Sequence, residues 1–259
     1  MLLVADIGNT STVLGLWTGS GRIAHRWRIR SEARGTPDEM GVLLRALLDT
    51  TPAGSARPSR GCVASVVPPL TGTFVEAAGR HLGIPVQEFR HSPKLGIRLE
   101  VDEPAQVGPD RGANTLAAHL GHPGPAIVVD FGTATNFDVV SADGAFLGGV
   151  IAPGLESGFE VFASKTALLP RVAPAFPVSA IGRTTVANLQ IGMYRGATAM
   201  VDGLVRAIRE EWEAGARVIA TGGLAGLVAS HCATVDVIDL DHTLKGVGWG
   251  YDRLFPLTV

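Results

Sequence analysis

The sequence predicts an α/β protein made of two similar halves, each built on a mixed β-sheet. Three observations lead there. A short motif occurs twice. Leu2-Leu3-Val4-Ala5 runs into Asp6-Ile7-Gly8-Asn9-Thr10, and Ala126-Ile127-Val128-Val129 runs into Asp130-Phe131-Gly132-Thr133-Ala134-Thr135. Each copy then enters a second apolar segment, residues 12–17 in one case and 136–140 in the other. After each strand run, helical and extended patterns alternate, the order expected of helices laid on a mixed sheet.

The elements follow in order. Residues 2–5, 13–17 and 23–29 read as a three-strand meander, with Gly19-Ser20-Gly21 as the second turn. Gly15 inside a strand predicts a bulge or a close approach by another group. Thr36-Pro37-Asp38-Glu39 predicts a helix start, with Thr36 as N-cap, Pro37 in the first helical position and Glu39 closing a capping box. That helix continues through Val42, Leu43, Leu44, Leu47 and Leu48. Residues 51–60, rich in Pro, Ser, Gly and Ala, form a loop. Residues 62–67 form a buried strand stopped by Pro68-Pro69. A helix, a short strand and a loop lead to Pro104, and a helix covers 112–120. The second half repeats the plan with strands at 126–130, 136–141 and 146–151, and Ala142-Asp143-Gly144 as a turn. A helical pattern follows at 154–166. A long helix covers 186–212, with Leu189, Met193, Met200, Val201, Leu204, Val205 and Ile208 on one side. Gly192, Gly196, Ala197 and Ala199 thin it, so something is expected to pack close. Residues 218–220 form a strand that ends at Thr221-Gly222-Gly223. The domain boundary falls near residue 115, giving domains 1–115 and 116–259.

Bulk properties exclude several classes. A chain of 259 residues with 46% hydrophobic content buries enough surface to need no disulfide or structural metal. A net charge of −2, with no evident Lys/Arg cluster, offers no footprint for nucleic acid. No apolar run reaches about 18 residues, so no membrane span is expected. Asp6 interrupts the apolar start and no basic segment precedes it, which argues against a secretory signal and for a cytoplasmic protein. Cys62 and Cys232 are expected as buried, reduced thiols.

The chemistry concentrates at four places. In the two Asp-Gly turns, small residues let backbone N–H groups approach phosphate oxygens. Thr10 and Thr133 add hydroxyl donors. The carboxylates of Asp6 and Asp130 repel phosphate but can hold a cation, or water on a cation, that bridges phosphates. The third place is Gly108-Pro109-Asp110-Arg111, where Asp110 starts a helix, a good position for a capping carboxylate. Arg111 is a fit partner for a carboxylate or phosphoryl group. The fourth is Thr221-Gly222-Gly223, whose glycines let the backbone pass close to a ring or a phosphate. The P-loop and the Gly-x-Gly-x-x-Gly fingerprint are absent. So is the Gly-x-Ser-x-Gly elbow. His119 and His122 read as surface or capping residues, and no His/Cys group has metal-ligand spacing.

These residues carry a resemblance. The chain resembles type III pantothenate kinases, a branch of the acetate and sugar kinase, Hsp70 and actin superfamily. The match runs in order through Asp6–Thr10, Ser65-Val66-Val67-Pro68, Pro104 with Gly108–Arg111, Asp130–Thr135, Gly148-Gly149-Val150-Ile151 with Pro153-Gly154, Thr166 with Leu169-Pro170, and Thr221-Gly222-Gly223. It implies two duplicated ribonuclease-H-like (actin-like ATPase) domains with ATP in an interdomain cleft. The implied ATP contacts are Asp6, Ile7, Gly8, Asn9, Thr10, Ser11, Thr12 and Val13 in the first phosphate loop, and Thr133 in the second. Asp130 is implied as ligand of a monovalent cation, K⁺ or NH₄⁺, beside ATP with Mg²⁺. Asp110 is implied as the base acting on the pantothenate hydroxyl, with Gly108, Pro109, Asp110, Arg111 and Thr185 lining the substrate site. A homodimer is implied, with no nucleic acid or membrane partner. Pro109 stands where the family has Ala or Ser, and Val101 where it often has Tyr. The implied activity is ATP-dependent phosphorylation of pantothenate to 4'-phosphopantothenate, the first step of coenzyme A biosynthesis. The rivals are a same-fold kinase for another small hydroxylated substrate, and a non-catalytic nucleotide-binding regulator of the accessory transcription factor kind.

Overall fold

The computed structural model describes residues 1–52, 55–155, 157–159, 172 and 174–256. Thr166, Leu169 and Pro170 lie outside the described residues, as does the later part of the helical pattern at 154–166. The chain forms two compact units: Met1–His122 with Gly144–Phe146 and Asp241–Val259, and Pro123–Asp143 with Leu147–Leu240.

In the first unit, β1 (Leu2–Ile7), β2 (Ser11–Trp17) and β3 (Ile23–Arg30) make the expected antiparallel meander. Strands β4 (Arg60–Ser65) and β5 (Val86–Glu88) add in parallel on the other side of β1, giving the order β3-β2-β1-β4-β5. β1 is central and buries both faces, as its unbroken apolar run requires. Leu3, Ala5 and Ile7 meet one core with Leu44, Leu70 and Phe74. Leu2 and Val4 meet a second core with Leu116, Leu244 and Val247. This is the period of two that any strand imposes. Each of these fully buried Leu, Ile, Val and Phe side chains contributes about 1.5–3 kcal/mol relative to exposure.

Helix α1 (Pro37–Asp49) begins as its sequence predicts. Glu39 N–H donates to Thr36 Oγ1 at 3.2 Å and Thr36 N–H donates to the Glu39 carboxylate at 2.8 Å. That backbone donor holds the Glu39 carboxyl below its ordinary pKa. The buried face differs from the expected one: Met40, Gly41, Leu44 and Leu48 point inward, while Val42 is 65% exposed. Gly41 turns the face, because a side chain there would overlap the His81 ring. Pro68-Pro69 do more than stop a strand. They open helix α2 (Pro68–Ala77), where proline is tolerated because the first-turn N–H groups have no helical partner.

Helix α3 (Pro109–Gly121) and the C-terminal helix, α7 (His242–Leu254), pack together within this unit. A Cβ built at Gly246 would fall inside the Ala113 backbone, so the two helices approach as closely as backbones can. His242 Nε2 lies 3.1 Å from the Asn114 carbonyl, and Thr243 Oγ1 donates to Asn114 Oδ1 at 2.8 Å. α7 returns to this unit because Leu244 and Val247 cover the face that Leu2 and Val4 leave open. Gly15 meets both of its expectations. The β2–β3 register shifts between Gly15 and Trp17, and a Cβ at Gly15 would lie 2.9 Å from Leu244 Cδ1.

The structure corrects one reading of charge. Arg26, Arg28 and Arg30 are exposed at alternate positions of β3, a strand at the edge of its sheet, and Arg26 lies 3.7 Å from Asp241. The composition hides this cluster because its net charge is cancelled elsewhere. Exposed arginines on an edge strand hinder pairing with another chain.

In the second unit, β7 (Ala126–Phe131), β8 (Ala134–Val140), β9 (Ala145–Pro153), β10 (Arg217–Thr221) and β11 (Val237–Ile238) take the order β11-β10-β7-β8-β9. β9 begins in the first unit, where β6 (Arg98–Leu99) pairs with Ala145 and Phe146. The duplication extends to burial. β1 and β7 share one pattern, four buried residues, a half-buried aspartate and a buried residue, and β2 and β8 share another. The long helix is continuous from α4 (Thr185–Gln190), through a π turn at Ile191–Arg195, into α5 (Gly196–Glu211). Val201 and Val205 seat it on Ile127, Val129 and Val218. A short helix, α6 (Ala225–Val228), follows β10.

Both cysteines are free and buried, as expected. Burial pushes each thiol up to about 12. Iodoacetamide at pH 8 is therefore expected to label neither in the native chain and both after denaturation, read by mass spectrometry, because the thiolate is the nucleophile. Substantial native labelling of Cys62 would contradict this burial.

Candidate active site

Asp6 and Asp130 sit inside strands, one residue before the strand end, not in the turns that follow. Asp6 faces Val13 across β2 and Ala64 across β4. Asp130 faces Asn136 across β8 and Thr221 across β10. Being strand residues, they are aimed by the ladder rather than by a loop. This suits a carboxylate that must hold a fixed position.

The first turn is tight. Gly8 N–H donates to the Ser11 carbonyl at 3.1 Å, so that N–H serves the turn itself. Ser31, just after β3, fastens the turn from outside: its Oγ donates to the Gly8 carbonyl at 2.7 Å and its N–H donates to the Thr10 carbonyl at 3.0 Å. Thr12 Oγ1 lies 2.9 Å from Ser31 Oγ. The predicted ATP-contact set divides accordingly. Asn9 and Thr10 are exposed, while Asp6, Gly8, Ser11 and Val13 are half-buried. Ile7 and Thr12 are wholly buried, so they carry the turn and present no exposed atom to a ligand here. Ser31 was not singled out from the sequence. The β2–β3 register, which pairs Ser11 with Arg30, is the signal that brings it there.

The second turn is one residue tighter than the first, with Gly132 N–H donating to the Ala134 carbonyl at 3.0 Å. Ser157 Oγ donates to the Thr133 carbonyl at 2.8 Å, and Gly154 leaves room for that carbonyl. Thr221-Gly222-Gly223, a weak signal in the sequence, lands on Asp130. A Cβ at Gly222 would overlap Asp130 Oδ1, and Gly222 has φ +93°, which L side chains rarely adopt. Across the strand, the Asn136 Oδ1 atom is buried and has no hydrogen-bond donor. Thr185, the last predicted substrate contact, is the exposed first residue of α4, whose N-cap is Thr184.

Helix α3 carries the third place. It starts earlier than predicted, with Gly108 as N-cap, Pro109 at the first position and Asp110 at the second. Asp110 is therefore not the cap. Its Oδ1 accepts the Arg111 N–H at 2.9 Å and folds back over Gly108, where a Cβ would occupy the same space. Pro109 loses nothing by lacking an N–H at this position. The Arg111 guanidinium lies 4.9 Å over the Phe146 ring, a cation–π contact that steadies its direction. The turn meets the first Asp-Gly turn through Val66. Val66 N–H donates to the Ile7 carbonyl at 3.1 Å, and Val66 Cγ1 is 3.5 Å from a Cβ built at Gly108. A cavity of about 430 Å³ opens beside Pro109, lined by Ser65, Thr71, Glu88, Arg90 and His91.

The doubled sheet sets an aspartate at the same place near the end of the first strand of each copy, followed by an Asp-Gly turn. Solved structures share the fold. One is a conserved Baf family protein from Campylobacter jejuni (TM-score 0.60, 15% identity, covering 98% of this chain and 100% of that one). Another is a ROK family glucokinase from Streptomyces griseus (TM-score 0.55, 12% identity, 96% and 98%). The sequence is more specific. The type III pantothenate kinase family model matches residues 2–207. The type III pantothenate kinase of Acidothermus cellulolyticus is 45% identical over 256 residues, 99% of this chain and all of that one. That of Rhizorhabdus wittichii is 43% identical over 257 residues, 98% of each. The chain belongs to the type III pantothenate kinase family.

Proposed function

We propose that this chain transfers the γ-phosphoryl group of ATP to the primary hydroxyl of pantothenate, giving 4'-phosphopantothenate, as the first step toward coenzyme A. The observation that carries the reading is the Gly108–Arg111 turn. It holds a carboxylate and a guanidinium in fixed directions at a helix start, next to an Asp-Gly turn. Phosphoryl transfer passes through a loose transition state, so positioning and charge neutralisation do most of the catalysis. Asp110 orients the pantothenate hydroxyl and takes its proton as the O–P bond forms. Arg111, braced on Phe146, meets the pantothenate carboxylate. Thr185 adds a further substrate contact. The Gly8–Thr10 turn and Thr133 serve the ATP phosphates. A divalent metal comes with ATP and neutralises phosphate charge.

The Asp130 surroundings fit a monovalent cation. The Asp130 carboxylate, seated where a Gly222 side chain would lie, and the donor-free Asn136 amide oxygen opposite it supply oxygen ligands from paired strands. The two ribonuclease-H-like copies are assigned to residues 1–115 and 116–259, although the compact first unit also takes in the end of α3 and the C-terminal helix α7. The protein is cytoplasmic and a homodimer. For the dimer, the supporting observation is the bare face of the long helix. Gly192, Gly196 and Gly203 have open space where a Cβ would lie, near in sequence to the exposed Val178 (99%), Ile181 (81%) and Val186 (41%). Among the described residues no helix is long and apolar enough to cross a membrane.

The test is ADP release with and without pantothenate, in K⁺ and in Na⁺ buffers. Pantothenate-dependent release in K⁺, reduced severalfold in Na⁺, is the expected result. No pantothenate-dependent release in K⁺ would refute the activity, and equal rates in both salts would refute the cation role.

A further inference from the structure

We infer that His91 is a positioning residue for the catalytic turn, holding it from both ends. The inference rests on the reading of Gly108–Arg111 as the turn that binds and activates the acceptor. His91 lies just past β5. Its Nε2 is 3.0 Å from the carbonyl of Val107, the residue immediately before the turn. A carbonyl only accepts, so Nε2 carries the proton and Nδ1 is left with a bare lone pair. The adjoining Cε1–Nδ1 edge of the ring meets Gly112, the residue immediately after the turn. A Cβ there would overlap His91 Cε1. One imidazole thus touches the chain on both sides of a four-residue site, by a hydrogen bond at the entry and by close packing at the exit.

The ring itself is fixed. Phe89, 3% exposed, stands edge-on to it with centroids 6.4 Å apart. His91 also lines both the cavity beside Pro109 and a second one of about 510 Å³ formed with Ser92, Gly96, Ile97 and Leu99. Nδ1 shows that the role goes beyond filling volume. It is buried with no hydrogen-bond partner. An unmet polar atom carries a desolvation penalty that Phe in the same place would avoid. What Phe would lack is the donor to Val107. Angstrom-scale shifts of a reacting group can cost about 100-fold in rate, so the effect belongs in turnover with pantothenate and not in ATP binding.

The experiment compares His91→Phe, which keeps the ring and removes the donor, with His91→Gln, whose amide N–H can replace Nε2–H. His91→Phe is expected to lower kcat about 10- to 100-fold, with the ATP KM within about twofold of wild type, and His91→Gln to recover most of that loss. Gly112→Ala, which pushes on the ring from the other side, is expected to show the same split and serves if His91→Phe does not fold. Wild-type kcat in folded His91→Phe or Gly112→Ala, with only the melting temperature changed, would overturn the proposal. A ¹⁵N histidine spectrum of the wild-type protein tests the bond separately. A proton on Nε2 and none on Nδ1 is expected, and a proton on Nδ1 alone would overturn it. Failure of the activity reading shows instead as wild-type protein without pantothenate-dependent turnover, an outcome the ¹⁵N spectrum does not depend on.

Discussion

Asp110→Asn is expected to lower kcat by about 10²- to 10⁴-fold, the range for a positioned general base, while ATP still binds. The substitution isolates the chemistry because the structure tolerates it. Asn keeps the Oδ1 atom that accepts the Arg111 N–H at 2.9 Å, and it fits the same space over Gly108. What it loses is the negative charge and the ability to take a proton. Losing an acidic residue from the first turn of α3 also removes a favourable interaction with the helix dipole, about 0.3–1 kcal/mol. That is too little to unfold the chain. Equilibrium binding of a fluorescent ATP analogue and steady-state kinetics check the two halves of the claim. Turnover within a few fold of wild type would remove Asp110 from the role of base.

The second large effect is structural. Gly246→Val is expected to destabilise the first unit by at least 1–3 kcal/mol, the usual range for overpacking a filled core. The melting temperature should drop by roughly 2–12 °C on the scale for chains of this size. The reason is the contact between α3 and α7. A Cβ at Gly246 falls inside the Ala113 backbone, and neither helix can retreat easily. Asn114 is bonded to His242 and Thr243, and Leu244 and Val247 are buried in the core that holds Leu116. Because α3 also carries Asp110 and Arg111, activity should fall with stability. A melting curve unchanged from wild type would show that α7 does not buttress α3 as described.

These two residues mark what was legible beforehand. Asp110 stands out in the sequence because it sits in a four-residue run with Gly, Pro and Arg. Gly246 does not, since it is one of several glycines in a helical stretch that carries no motif. The same contrast holds at Asp130. Asp130 is visible as the second copy of a repeat, whereas Gly222 gains meaning only when β10 lies beside β7 and its missing side chain makes room for the carboxylate. The charge reading failed at β3 for a related reason. Alternation places Arg26, Arg28 and Arg30 on one side of an edge strand, but a net charge of −2 conceals it.

The sequence by itself determined the features whose physics is local. The capping box at Thr36 and Glu39 spans three residues. The buried strands follow from apolar runs, and the duplicated aspartate turns from a repeated string. The tertiary structure alone decided which atoms close on the site. Ser31 fastens the first turn, His91 meets the residues on either side of the Gly108–Arg111 turn, Gly222 makes room for Asp130 and α7 holds α3. Each of these contacts is made by atoms of two different elements, brought together by sheet order and helix packing. Such contacts leave no periodic or motif signature in either segment, so the sequence holds them without displaying them.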